Sequence, residues 1–317
     1  TSSTVSELAA GVGAQNLTLT ADAATARSLV GTVAVNLTST TAVSGLDSKA
    51  LSAATVATTG LVYSGQSVWD KNGSGSWGTL ASGFGANWGA AQGSAGLDAA
   101  FAGVDTATFD NTKLATGASA TVTLDGAAPS LKGLTFNTSG GGFTLATGTG
   151  GSLTLKSDVG AAAVTATAGT HVISTGLALK SATGVAVAGG SIKFTGVVSG
   201  LGKLTKTGAG TLVLSGANTF EGGVVLSDGT LIAKNASGLG VGNVVVNAGV
   251  LDLFGNSVAN IIQVYGGSVI NSGIGTLSAS ALEVNATNGV LVSASIAGTS
   301  SLRKMGVGVL TLTGTNS

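Results

Sequence analysis

The sequence predicts an all-β chain, a right-handed parallel β-helix with an irregular or capping amino-terminal region. Three observations predict it. Short alternating runs bounded by Gly, Asn, Asp or Ser recur along the chain. One stretch, GLGKLTKTGAGTLVLSGAN, returns in altered form farther on. The composition is rich in glycine and poor in charge and proline.

The runs come first. TVAVNLT (32–38), TVTL (121–124), SLTL (152–155), SIKF (191–194), LVL (212–214), VLDL (250–253) and LTL (310–312) are typical of the series. Each is about 3–6 residues long and alternates apolar with polar positions, as half-buried strands do. Their separation, roughly 8–12 residues, permits a sandwich or a barrel as well.

The repeat selects among these. Aligned without gaps, 200–218 and 298–316 share Gly200/Gly298, Leu204/Leu302, Lys206/Lys304, Gly208/Gly306, Gly210/Gly308, Leu212/Leu310, Leu214/Leu312, Gly216/Gly314 and Asn218/Asn316, nine of nineteen positions at a spacing of 98. Fixed-period self-similarity marks a stacked architecture. The intervening residues read as weaker copies of one turn-strand-turn unit. At roughly 20–25 residues per coil the whole chain makes about 13–15 coils, about 60–70 Å long. Leu204, Leu212 and Leu214 are the inward positions of the best copy, and Gly208 and Gly210 mark the turn between its strands.

Composition fits stacked coils. Charged residues are 8% of the chain and the net charge is zero. Like charges one above another repel, whereas Ser, Thr and Asn stack without that cost. Pro129 is the single proline, consistent with coils that donate N–H groups to their neighbours. Hydrophobic content of 44% disfavours disorder. No basic run exists for phosphate neutralisation, so no nucleic acid is expected as a partner. Ser, Thr and Gly interrupt every apolar run, so no transmembrane helix is expected. There is no cysteine, hence neither a disulfide nor a thiolate metal site.

Three regions follow. Residues 1–67 are rich in Ala and Thr, have short helical possibilities at 22–30 and 47–57, and read as irregular first coils or a cap. Residues 68–112 hold Trp69, Trp77 and Trp88 and read as a long excursion or side lobe. Residues 113–317 read as the regular β-helix.

The chemistry-bearing residues are few. His171 is the sole histidine, with no nucleophile or orienting acid in its neighbourhood, and reads as an outward or stacked strand residue. Ser301 and Lys304 fit S-x-x-K, but Lys304 aligns with Lys206 and so reads as structural. Asp98, Asp105 and Asp110 cluster in sequence near the three Trp. Acids with aromatic faces could hold a sugar; the plainer alternative is turn aspartates beside a hydrophobic cap. Trp69, Trp77, Trp88, Asp98, Asp105 and Asp110 are the candidate binding residues, with no catalytic residue, metal or cofactor expected.

Gly202, Leu204, Lys206, Gly208, Gly210, Leu212, Leu214, Gly216, Asn218, Phe220, Gly222, Gly223, Val225, Gly229 and Leu231 form a pattern that resembles the repeat of bacterial autotransporter passenger domains. Trp77, Asn87, Trp88 and Asp105 to Phe109 are similar to the amino-terminal part of such passengers. The resemblance implies a β-helix at the surface of a Gram-negative bacterium or secreted from it. It also implies an outer-membrane β-barrel following in the full-length protein, and a repeat tied to export and folding rather than catalysis. Ending within a second repeat at Ser317, the chain is read as a fragment. Such passengers include adhesins, self-associating proteins, proteases, lipases and toxins. The expectation here is an adhesin whose partner is a host cell surface, extracellular matrix, a glycan or a sister cell. The rivals are a carbohydrate-active β-helix enzyme and a plain stalk that presents another domain.

Overall fold

The computed structural model describes residues 27–35, 38–39, 49–50, 54–62, 65–78, 87–89, 94–97, 103–273, 276–277, 281–296 and 301–316. The chain divides into two compact units, Thr1–Ser64 and Gly65–Ser317. Among the described residues every regular element is a strand.

In the first unit, Arg27–Val35 pairs antiparallel with Ala54–Val62, from Arg27 opposite Val62 to Val35 opposite Ala54. Thr38–Ser39 pairs antiparallel with Lys49–Ala50. This corrects two expectations. The helical possibilities at 22–30 and 47–57 are strands wherever they are described, and those strands form antiparallel pairs instead of irregular coils. Branched Val and Thr, frequent in 30–35 and 55–62, favour extended backbone over helix. The run at 17–20 lies outside the described residues.

The second unit is a parallel β-helix. Its first sheet has eleven strands, from Gln66–Val68 and Thr106–Asp110 through Leu204–Thr207 to Ser301–Met305. Its second sheet also has eleven, from Gly75–Ser76 and Ser119–Thr123 through Thr211–Leu214 to Leu310–Leu312. A third face carries four strands, Ser130–Leu131, Leu153–Leu155, Leu177–Leu179 and Val198–Ser199. Eleven is fewer than the about 13–15 coils expected, because that estimate distributed coils over residues 1–64 as well.

Register explains the repeat. Leu204 pairs with Val224, and the column continues through Val244, Ile262 and Leu282 to Leu302. The two copies therefore lie five rungs apart in one inward column. Lys206 and Lys304 share the neighbouring inward column, with Leu226, Val246, Val264 and Val284 between them.

Alternation sets the core. Leu204, Leu212 and Leu214 are fully buried, as the alternating pattern predicts. Burying each such side chain stabilises the fold by about 1.5–3 kcal/mol. At the corner before the second sheet, Gly229, Gly249 and Gly267 all have left-handed backbone, φ 70°, 80° and 76°. A Cβ at Gly249 would collide with the Gly229 carbonyl, and one at Gly267 with the Gly249 carbonyl. Glycine is required there both by conformation and by the closeness of adjacent rungs.

Candidate functional site

The tryptophans lie inside. Trp69, Trp77 and Trp88 are at most 1% exposed. Trp69 and Trp88 meet edge-on at 5.4 Å, and Trp77 and Trp88 at 4.8 Å. Each indole N–H is engaged: Trp69 Nε1 donates to the Gly73 carbonyl, Trp77 Nε1 to that of Ala95, and Trp88 Nε1 to that of Trp77. The insert after Ser76 thus brings Trp88 and Ala95 into the core, and these rings present no open face for a ligand.

The acids do not converge on a surface groove. Asp105 is 4% exposed, and its Oδ2 accepts the Gly96 amide at 3.0 Å. Asp110 ends an outer strand and accepts the Thr112 amide at 2.8 Å, a local turn contact. Asp98 lies outside the described residues.

His171 points inward, not outward. It is fully buried, and its ring stacks on Phe136 at 4.3 Å and 16°. Phe136 in turn stacks on Phe109, which touches all three Trp. The imidazole is therefore the last ring of an aromatic spine. Its Nδ1 accepts the Phe143 amide at 3.1 Å, so Nε2 carries the proton and donates to the Ala168 carbonyl at 2.9 Å. Burial pushes its pKa below the ordinary histidine value, opposed by the Ala168 bond. Both nitrogens are committed to backbone, which leaves no lone pair for a substrate.

The polar residues of the repeat are bridges between rungs. Asn218 is 1% exposed; its Oδ1 accepts the Val198 amide at 2.8 Å and its Nδ2 donates to the Gly238 carbonyl at 2.6 Å. One side chain thereby ties three successive rungs. Asn316, its counterpart, accepts the Ile296 amide at 2.9 Å. Lys206 stands in an apolar inward column and sends its ammonium to the carbonyls of Thr207, Gly208 and Asp228, at 2.9, 2.5 and 3.2 Å. Burial lowers its pKa to about 8, while the Asp228 charge acts in the opposite direction. Lys304 caps the Met305 and Gly306 carbonyls in the same way, both at 2.7 Å, so its ammonium is directed at a turn and not at Ser301.

The exterior is where a partner can be met. Over the early rungs the first sheet presents Thr108, Thr135, Thr165, Ala186 and Thr207 in one outward column. Two described aromatics, Phe254 and Tyr265, break from the buried pattern, at 46% and 45% exposure. Phe254 has left-handed backbone, φ 49°, held by its amide's bond to Asp252 Oδ1 at 2.9 Å, and the Lys234 ammonium lies 4.2 Å over its ring. Tyr265 sits at the outward parity of IIQVY, a signal present in the sequence, but its surroundings depend on which residues the neighbouring rungs place beside it.

Residues 204–233 and 302–317 match the passenger-associated-transport-repeat. Over 129 residues, 39% of this chain, the sequence is 31% identical to the adhesin BmaC autotransporter of Brucella suis biovar 1 (strain 1330). That stretch is 4% of the relative's length. No solved structure matches. Stacked parallel coils bearing this repeat define an autotransporter passenger domain. The family implies a surface-exposed or secreted protein of a Gram-negative bacterium.

Proposed function

We propose that this passenger is an adhesin, displayed at the cell surface or released, that attaches bacteria to host surfaces or matrix or to one another. The observation that carries the reading is the similarity to an autotransporter named as an adhesin. The fold agrees with it. A long stack of coils offers many repeated Ser, Thr and Asn side chains, whose individually weak contacts add by avidity. The role is binding, not catalysis: the buried Asp105 and the turn-bound Asp110 are poorly placed for the paired-carboxylate work of a β-helix glycosidase. The test displays the chain on a non-adherent Gram-negative host, fused to an outer-membrane barrel. Attachment to epithelial monolayers and matrix-coated plates, and settling of the culture, are compared with the barrel alone. Increased attachment or settling is expected; equality with the barrel alone in all three assays would overturn the reading.

A further inference from the structure

We propose that the outward face of the first sheet around Tyr265 is a binding site for a neutral glycan, a reading that rests on adhesion as the work of the chain. The face changes character along the stack. Its early rungs carry Thr106, Gly133, Ala163, Gly184 and Thr205 in one outward column, all small. That column continues through Val225 and Val245 to Gln263, Glu283 and Arg303. Two residues along the strands, the next outward column runs through Asn247, Tyr265 and Asn285 to Met305. The Tyr265 amide donates to the Val246 carbonyl, which seats the tyrosine between the two asparagines on adjacent rungs.

The chemistry of this patch is that of sugar recognition. Eight other described aromatics, the three Trp and Phe109, Phe136, Phe143, Phe194 and Phe220, are at most 1% exposed, so an outward ring is a departure from the rule of this fold. Phe254 is the other outward ring, and Lys234 covers it. Tyr265 is left with an open face, onto which the C–H face of a pyranose can stack while its edge stays wet. Asn247 and Asn285 are exposed and flank it at about one rung spacing, ~4.8 Å. Their planar amides each supply donors and an acceptor for vicinal hydroxyls. Gln263 Nε2 donates to Glu283 Oε2 at 2.9 Å, which fixes a carboxylate beside the ring. Arg303, on the next rung, is exposed and adds a planar donor fork.

Charge decides among occupants. The outward residues of these rungs carry one carboxylate, Glu283, and one guanidinium, Arg303, in adjacent register. Their fields cancel, and the whole chain has zero net charge. Nothing there draws an anion or a cation, so the complementary ligand is uncharged and rich in hydroxyls. A protein partner is disfavoured, because a lone ring rimmed by amides lacks the desolvated pocket that protein hot spots occupy.

The test applies the purified 317-residue chain to an array of neutral hexose and N-acetylhexosamine oligosaccharides, with heparin and sialylated glycans as charged probes. Retention on a neutral class is expected. It should fall about tenfold in Tyr265→Ala, from lost stacking, and less in Asn247→Ala or Asn285→Ala. Tyr265→Trp should retain it, and Phe254→Ala should leave it unchanged. Circular dichroism and melting like the parent confirm that the variants fold. Binding only to charged probes, no binding, or binding indifferent to Tyr265→Ala would overturn the site. The same variants are scored for attachment of displaying cells. Attachment that survives Tyr265→Ala overturns this site and leaves adhesion standing. Glycan binding without attachment of the parent overturns adhesion and leaves the site standing.

Discussion

A proton on His171 Nδ1 would set two donors against each other, since that nitrogen already accepts the Phe143 amide. The fold therefore holds the ring neutral, and burial lowers its pKa. In the unfolded chain the ring titrates near its ordinary value, about 6.5. As pH falls through that value the unfolded state takes up a proton that the folded state refuses, so stability is lost toward acid. His171→Leu removes this linkage. Urea unfolding at pH 7.5 and 5.5 should show the parent losing more stability than the variant; equal losses would mean that the ring protonates freely in the fold. Lys206 has the alkaline counterpart. With its folded pKa lowered to about 8, the unfolded chain retains a proton that the folded chain releases between there and the ordinary lysine value. Stability rises with pH across that window, and the parent should gain on Lys206→Met between pH 8 and 10.5. A constant difference would mean that the three carbonyls keep the ammonium charged throughout.

Trp77 shows what an insert does for a rung. It follows the short strand Gly75–Ser76, and its ring fills the interior against Trp88 and Phe109. Trp77→Ala should cost about 3–5 kcal/mol through lost transfer and the cavity left behind. Because rungs contact only their neighbours, the loss should be local. Amide exchange should speed up over 106–146 while 224–264 stays protected; unchanged exchange in both segments would show that the ring is dispensable. The same elements show which parts of the fold the sequence made legible. Leu204, Leu212 and Leu214 were readable because strand parity alone places them inward. The Trp orientation was not, because the insert has no period and indole suits both core and surface. Lys206 breaks the parity rule by being charged and inward, and its partners are turn carbonyls that become visible only with the backbone. Asn218 and Tyr265 depend on residues about one rung away in either direction. Rung length varies, from 18 residues between Val244 and Ile262 to 30 between Gly133 and Ala163, so a single-sequence period could not find those neighbours.

Across the whole molecule, cohesion is apolar and hydrogen-bonded, with little contribution from ion pairs. Among the described residues the ion pairs are Lys113–Asp70 at 3.4 Å and Lys156–Asp158 at 3.0 Å, both solvent-facing and weak. The stack therefore relies on inward columns and ladder bonds, shared by every rung, and on side chains that cross between rungs, which are concentrated in the repeat. Asn218 ties the rung at Val198 to that at Gly238, and Lys206 ties its own turn to Asp228. A nearest-neighbour stack is most stable where its interfaces are strongest. Amide exchange should then be slowest over 204–214 and 224–233, the stretch that matches the passenger repeat. Asn218→Ala leaves the Val198 amide and the Gly238 carbonyl without this partner, at about 1–3 kcal/mol for each group that stays buried and unbonded. Protection should fall in the rungs from 191 to 246 and recover by 281–292. A uniform fall along the stack would show that the solenoid opens as one unit, and no fall would show that the bridges add nothing to the ladders. The local outcome would give the repeat a physical task in a chain that must fold after export: it supplies a rung held on both faces, from which coils can propagate in either direction.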